Sequence, residues 1–590
     1  MIDFYYDSYD KNYKNIFGAV KKGQNLRLNI KLSLNTDVFI IIESFNKTEK
    51  FKLNLTEELQ NEFIYSINLD THDYLGPIFY YFKVEYNNKK CYYGNNENQM
   101  GGIGKLYDDK PKNLYQIFIY DLKSSAPDWY KEGIIYHIFV DRFKSSSKDL
   151  ESVNKDLTSI YGGDIQGIID KLDYIQELGV SILYLSPIFE AKTYHKYDIG
   201  DYETIDSGFG DLNTFNKLVH EVKKRGMYLI LDGVFNHCGE DSIYFNRFNN
   251  YDSIGAYQSK DSAYYDWFCF NEFPDNYLCW RSISELPEFN KSNKTFLDFI
   301  LYSDKSIVNQ WLDRGIDGWR LDSCDLLPDW FIKEIYSTMK QKNSESIVIG
   351  ELWNDATNFN HMKNNEFRHY MSGNEVESVT NYPLHGLILE FSKSNYSPLD
   401  FKKRYYSLLE NFPNEYFYST QNFLSTHDIE RVLTLLNENL RFLRFAILLL
   451  MTLPGVPFIY YGDEIGMAGG KDPDNRKPFA WNNINKDVLK TYKKFIALRN
   501  SYNAFKKGSI YFLDNSLSIL AFTREYKDER LLILLNNKED IQFSIEELNL
   551  KNYEDLASKF KLKDIIRNDI FSKEDIIELN KYDYKVFEII

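Results

Sequence analysis

Over residues 25–35 apolar and polar positions alternate without a break, with Leu26, Leu28, Ile30, Leu32 and Leu34 on one side of the chain. A period of two is what a half-buried strand requires. Further apolar runs at 38–42, 63–67 and 77–84 are separated by stretches bearing Gly and Asn. Short strands at that spacing predict a β-sandwich over 1–122. The turn Gly101-Gly-Ile-Gly104 and the segment Ser124-Ser-Ala-Pro127 mark its end.

From about residue 134 short apolar runs alternate with amphipathic stretches of helical period, the pattern of βαβ units and a parallel sheet. In one unit, Asp211 can cap a helix whose apolar face is Leu212, Phe215, Leu218, Val219 and Val222, and Gly226 can end it. The continuous run Met227-Tyr-Leu-Ile-Leu231 then suits a strand buried on both faces. Comparable runs lie at 134–139, 182–185, 318–321, 347–349, 422–424 and 456–460, with a weaker one at 376–380. Together they make eight, the number that closes a (β/α) barrel. The stretch 236–293, between the third and fourth runs, is aromatic-rich and too long for one helix, which predicts a small domain inserted over the barrel mouth. After a helix near 487–500, strand-like alternation returns. The expected architecture is therefore multidomain α/β. A central (β/α)8 TIM barrel over 123–505 carries the insertion, flanked by an N-terminal (1–122) and a C-terminal (506–590) β-sandwich.

Charge and cysteine content narrow the partners. Asp and Glu number 86 against 70 Lys and Arg, a net −16, and an acidic surface repels phosphate backbones, so no nucleic-acid partner is expected. No run approaches the ~18 apolar residues of a membrane span; the longest, 445–452, is closed by Pro454. The first residues show no basic start and no apolar run, and the five cysteines form no CxxC pair. The expectation is a cytoplasmic protein with reduced thiols and no membrane partner.

Chemistry gathers at the strand ends. The third run continues into Asp232-Gly-Val-Phe-Asn-His237, the fourth reads Gly318-Trp-Arg-Leu-Asp322, the fifth leads to Glu351, and the seventh to His427 and Asp428. In a (β/α) barrel these ends converge on one face, where active sites lie. A single acid at a strand end is most simply a helix cap or half of an ion pair. Three acids, one arginine and two histidines there are not explained that way. Carboxylates without a nucleophilic triad or redox motif suit acid chemistry on an acetal: one carboxyl protonates the leaving oxygen and a second meets the oxocarbenium-like carbon. Burial and neighbouring carboxylates raise the pKa of a Glu and fit Glu351 to the first task. Arg320 precedes Asp322 by two, so both side chains point to one face of the strand, and a fixed cation there keeps Asp322 ionised.

These segments, with Gly350-Glu-Leu-Trp353 and Phe423-Leu-Ser-Thr-His-Asp428, resemble the four signature segments of the α-amylase family, glycoside hydrolase family 13, in order. Gly162-Gly-Asp-Ile-Gln-Gly167 with Leu178-Gly-Val-Ser-Ile-Leu-Tyr-Leu-Ser-Pro187 resembles its second-strand region, and Val456-Pro-Phe-Ile-Tyr-Tyr-Gly-Asp-Glu-Ile-Gly466 its eighth strand. Leu286-Pro-Glu-Phe-Asn290 is similar to the fifth-region pattern of the neopullulanase, cyclomaltodextrinase and maltogenic amylase group, as are Pro127-Asp-Trp129 and Tyr264-Tyr-Asp-Trp-Phe268 to further segments. The resemblance implies Asp322 as nucleophile, Glu351 as general acid/base and Asp428 as transition-state stabiliser. It implies His195, Tyr197, His237, Arg320 and His427 as substrate-binding residues at the cleavage subsite, and hydrolysis of α-1,4-glucans with retention. A transglycosylase or isomerase on the same scaffold is the rival reading; a non-catalytic glucan-binding protein sits poorly with three intact acids.

Departures from the group bear on detail. After Asp322 the group often has Val-Ala-Asn-Glu, where this chain has Ser323-Cys-Asp-Leu326, and the usual His after the Glu-x-Trp segment is Asn354. The loop that is rich in Asn and Asp in calcium-binding relatives is Lys144-Ser-Ser-Ser-Lys148, with only Gly163 and Asp164 matching the rest of that site. No cofactor and no calcium at this loop are expected. The N-terminal domain implies either glucan binding or, as favoured here, a homodimer in which it covers a neighbouring active site. Asp198 and Asp232 read as structural; Trp280, Trp353 and Tyr264 read equally as sugar platforms or plain packing.

Overall fold

The computed structural model describes residues 3–590 apart from 46, 60, 87–88, 123–124, 154, 359, 362–365, 551–560 and 573. The chain divides into two compact units. One comprises Met1–Ser125, Asn354–Glu375 and Leu399–Phe417; the other comprises Ala126–Trp353, Val376–Pro398 and Tyr418–Ile590.

In the first unit a four-stranded and a seven-stranded sheet enclose an apolar core. The strand Asn25–Leu32 buries Leu26, Leu28, Ile30 and Leu32 as its alternation predicts, and it ends before Leu34, which is only half-buried. In the same unit Lys14 and Glu410 form a buried ion pair.

The second unit is built on eight parallel strands: β1 (Ile135–Ile138), β2 (Ile182–Leu185), β3 (Tyr228–Gly233), β4 (Gly318–Leu321), β5 (Ile347–Gly350), β6 (Ser378–Val379), β7 (Gln421–Phe423) and β8 (Val456–Tyr460). Each pairs with its neighbour in sequence, β8 pairs with β1, and a parallel bridge from Thr380 to Gln421 joins β6 to β7. The sheet is thus the closed (β/α)8 barrel that the eight apolar runs predict, and their near-continuous apolar character follows from burial on both faces. The helix Leu212–Lys224 shows how its units are made. The Asp211 carboxylate accepts the Thr214 N–H at 2.8 Å, and Phe215, Leu218, Val219 and Val222 are buried. Gly226 turns the chain at φ +69°, a conformation costly for a residue with a Cβ. Leu212, expected on the buried face, is exposed instead: at the first helical position its side chain leans back past the helix end.

Between β3 and β4 the chain makes the expected excursion. It is tied to itself and to the end of β3 by bridges from His237 to Glu288, Phe268 to Phe289 and Cys279 to Pro287. Its aromatic content is mostly packing: Tyr244, Tyr264, Trp267 and Phe289 form one cluster, with Tyr264 edge-on to Trp267 at 4.9 Å. Tyr264 is thereby accounted for without a ligand. The C-terminal strands form a six-stranded and a two-stranded sheet over a separate apolar core, matching the expected terminal β domain. No helix among the described residues is long and apolar enough to cross a membrane.

Candidate active site

The ends of β3, β4 and β5 meet at one guanidinium. Register sets Asp232 directly opposite Arg320. Arg320 Nη1 lies 2.9 Å from both Asp232 Oδ1 and Asp322 Oδ1, and Nη2 lies 3.0 Å from Glu351 Oε1. All four side chains are nearly withdrawn from solvent, so these are strong, poorly screened interactions. Ser323 adds a second bridge. Its N–H donates to Glu351 Oε2 at 2.7 Å and its hydroxyl to Asp322 Oδ2 at 3.1 Å. The Trp353 indole donates to Glu351 Oε1 at 3.2 Å, while its ring, 45 % exposed, stacks on Tyr382.

Glu351 does not titrate as an ordinary carboxyl. Burial pushes its pKa up to about 8; Arg320 opposes this, and the charges of Asp322 and Asp428 add to it. At neutral pH it holds its proton. Asp428 is also raised by burial, against the pull of Arg476 and Arg320. A protonated carboxyl beside a second one gripped by a fixed cation is the pairing that acid-assisted substitution at an acetal carbon needs.

The histidines and Tyr197 frame this centre from two sides. The Tyr197 hydroxyl reaches Asp232 Oδ2 at 2.9 Å and His427 Nε2 at 2.6 Å, and the two rings stack 5.4 Å apart. Tyr184 also donates to Asp232, so Asp232 is spent on Arg320 and two tyrosines, as a structural reading of it requires. His427 Nε2 stands 3.1 Å from Asp428 Oδ2. His195 Nδ1 accepts the Tyr197 N–H at 3.1 Å, and His237 packs 5.6 Å from the Trp280 ring. Burial drives the pKa of His195 down to about 3, of His237 down to about 4, and of His427 well below its ordinary value, so all three rings are neutral at neutral pH. Asp198 is held by the Thr193 N–H at 3.0 Å and the Thr193 hydroxyl, again a structural arrangement.

Of the residues singled out in the sequence, the strand-end acids, Arg320, the three histidines and Tyr197 are thus linked around this centre while Tyr264 packs within the excursion, and the structure adds three more. Arg476 Nη2 lies 3.4 Å from Asp428 Oδ1, and its Nη1 lies 3.2 Å from Asp472. The signal for both was the charged run Asp472-Pro-Asp-Asn-Arg476 after β8. Ser323 is the third; in the sequence it stood out only as a departure. At the loop that departs from the calcium pattern, the Asp164 carboxylate meets donors of the chain itself. Asp164 Oδ1 accepts the Gly167 N–H at 2.6 Å, and Oδ2 accepts Ser146 N–H and hydroxyl, both at 2.9 Å.

The profile of the family described as "Alpha amylase, catalytic domain" matches residues 137–524. The chain is 30% identical to an amylopullulanase of Thermoanaerobacter thermohydrosulfuricus over 92% of its own length, but spans only 43% of that protein. It is 34% identical to neopullulanase 2 of Thermoactinomyces vulgaris over 71% of each. A solved cyclomaltodextrinase structure superimposes with a TM-score of 0.70 at 25% identity, covering 99% of both chains. With six signature segments in order, the strand-end acids gathered at one arginine, and these matches, the chain belongs to the α-amylase family.

Proposed function

We propose that this chain is a retaining α-glucan hydrolase that cleaves α-1,4-glucosidic bonds of maltooligosaccharides, cyclodextrins or pullulan. The observation that carries the reading is the shared guanidinium: Arg320 holds Asp322 and Glu351 side by side while burial keeps a proton on Glu351. In the first step an Asp322 oxygen bonds to the anomeric carbon as the glycosidic C–O bond breaks, and the leaving oxygen takes the Glu351 proton. In the second, water loses a proton to Glu351, bonds to that carbon and returns the electron pair to Asp322. Retention by this route calls for carboxyl groups about 5–5.5 Å apart, and contacts to one guanidinium and one serine support such a spacing. Asp428, steadied by Arg476 and His427, faces the same centre and grips sugar hydroxyls. His195, Tyr197, His237 and His427 complete the cleavage subsite; as neutral rings the histidines hydrogen-bond the substrate without adding positive charge.

We assign no cofactor. Ca²⁺ takes roughly six to eight oxygens, whereas the Asp164 oxygens already accept N–H and O–H donors. A homodimer formed through the N-terminal domain and a cytoplasmic location complete the reading; a solution mass of monomer alone removes the dimer.

Product analysis with β-cyclodextrin, pullulan, soluble starch and maltotriose, offered separately, tests the function. Rapid ring opening with slow attack on starch is expected. Preference for starch makes the enzyme an ordinary amylase, and transfer products without hydrolysis favour the transglycosylase. Asp322→Asn, which removes only the nucleophile's charge, is expected to abolish turnover and leave the fold intact, as read by circular dichroism.

A further inference from the structure

Ser323 does something that its position in the chain does not require. It follows Asp322 and sits in the left-handed region at φ +46°, ψ 44°, a conformation that Gly, Asn or Asp adopts far more readily than Ser. The strained turn is what lets one residue face two carboxyl groups at once. Its N–H points to Glu351 Oε2 and its hydroxyl to Asp322 Oδ2. That hydroxyl has one proton to give, and it is aimed from the far side: the Trp280 indole Nε1, from the excursion between β3 and β4, donates to Ser323 Oγ at 3.0 Å. Trp280 engages one of the two acceptor lone pairs on one side of the oxygen, and the hydroxyl proton goes to Asp322 Oδ2 on the other. The group this chain resembles often has Val here, which can give the N–H but not the hydroxyl.

We propose that Ser323 is a positioning residue that favours release of the sugar from Asp322, and that Trp280 sets its hydroxyl. The proposal rests on the retaining reading above. In the second step the bond from the anomeric carbon to Asp322 breaks and its electron pair returns to the carboxylate, while water supplies the new oxygen and its proton goes to Glu351. The Ser323 hydroxyl stabilises the charge that reappears on Asp322, so it acts on Asp322 as a leaving group. A hydrogen bond to a charged acceptor is strong enough to alter that step by about tenfold. The N–H to Glu351 belongs to the backbone and survives any side-chain change.

The test uses the full-length enzyme and α-maltosyl fluoride, whose fluoride leaves easily and makes the first step fast. Ser323→Ala is expected to release a burst of fluoride matching the enzyme concentration. A steady rate about tenfold below the wild type should follow, with a lower KM because the intermediate accumulates. Ser323→Gly, which accepts the left-handed turn without strain, should behave alike and guards against misfolding of the Ala variant. Trp280→Phe should show a smaller effect in the same direction, and Ser323→Ala combined with it no further loss. A Ser323→Gly enzyme with a steady rate within twofold of wild type overturns the proposal. So does a slowed one without a burst. Asp322→Asn separates the two readings: if it still hydrolyses the fluoride at the wild-type rate, the retaining assignment itself falls. If it is inactive and Ser323→Gly is normal, only the role of Ser323 does.

Discussion

Two buried glutamates, one at the end of β5 and one just after β8, look alike by pKa and differ in everything that decides chemistry. Burial raises Glu351 to about 8 and Glu464 to about 7. Glu464 is saturated by neutral donors: the Tyr136 and Tyr174 hydroxyls reach Oε1 at 2.7 and 2.8 Å, and the Gly462 N–H reaches Oε2 at 2.8 Å. It is fully enclosed. Glu351 shares its surroundings with Asp322, Asp428 and Arg320, and an exposed Trp353 stands beside it. A raised pKa therefore marks desolvation; it marks a functional group only where charged neighbours and an opening to solvent accompany it. Glu464 lies within the same strand-8 signature and serves to brace the barrel.

The largest expected effect separates the two directly. Glu351→Gln should lower kcat on glucan substrates by about 10²–10⁴, the loss expected when a general acid is removed. Glu464→Gln should leave kcat within about threefold, because no charge or contact at Arg320 changes. For the wild type, kcat/KM should fall as pH rises through about 8, since the Glu351 proton is what the leaving oxygen needs. An equal loss of kcat in both variants breaks the comparison, and an alkaline limb unchanged by Glu351→Gln sharpens it against Glu351.

Most of this site was legible because a parallel barrel puts the chemistry at fixed places in the repeat. Asp232, Arg320, Asp322, Glu351 and Asp428 each stand at or just beyond the end of an apolar run, and closure of the sheet does the rest. Arg476 was not read because it lies 48 residues beyond Asp428 on another loop, and only the folded chain brings the two together. Ser323 was visible as a departure, but its role depends on a positive φ that sequence preference argues against. Leu34 and Leu212 continue the apolar periodicity of their elements yet fall outside the buried face, since the pattern does not say where packing stops.

Glu464 also carries a pH signature in stability. Its folded pKa, about 7, is raised above its ordinary 4.5, so the folded state holds the proton more tightly than the unfolded chain does. The contribution is complete below pH 4.5 and is lost as pH rises through 7, on the order of 3 kcal/mol in all. Glu464→Gln should remove this dependence. Relative to wild type it should gain stability between pH 5 and pH 8, measured by urea unfolding. The constant cost of the lost Gly462 bond cancels in that difference. A variant that tracks wild type at both pH values shows that Glu464 does not change charge in this window, and the likeness of the two glutamates disappears.

The smallest effect probes the same site from its donor side. Tyr174→Phe deletes one of the two hydroxyls on Glu464 Oε1 and leaves Tyr136 in place. At pH 5 the carboxyl is protonated and the lost bond is a neutral one, worth about 1 kcal/mol. At pH 8 the group is ionised, and a bond to a charged acceptor is worth about 1.5–3 kcal/mol. The loss in unfolding free energy should therefore be greater at pH 8 than at pH 5, with kcat unchanged at both. An equal loss at the two pH values means the Tyr174 hydroxyl meets the same charge state throughout. A loss confined to kcat would move the brace of the barrel into the active site.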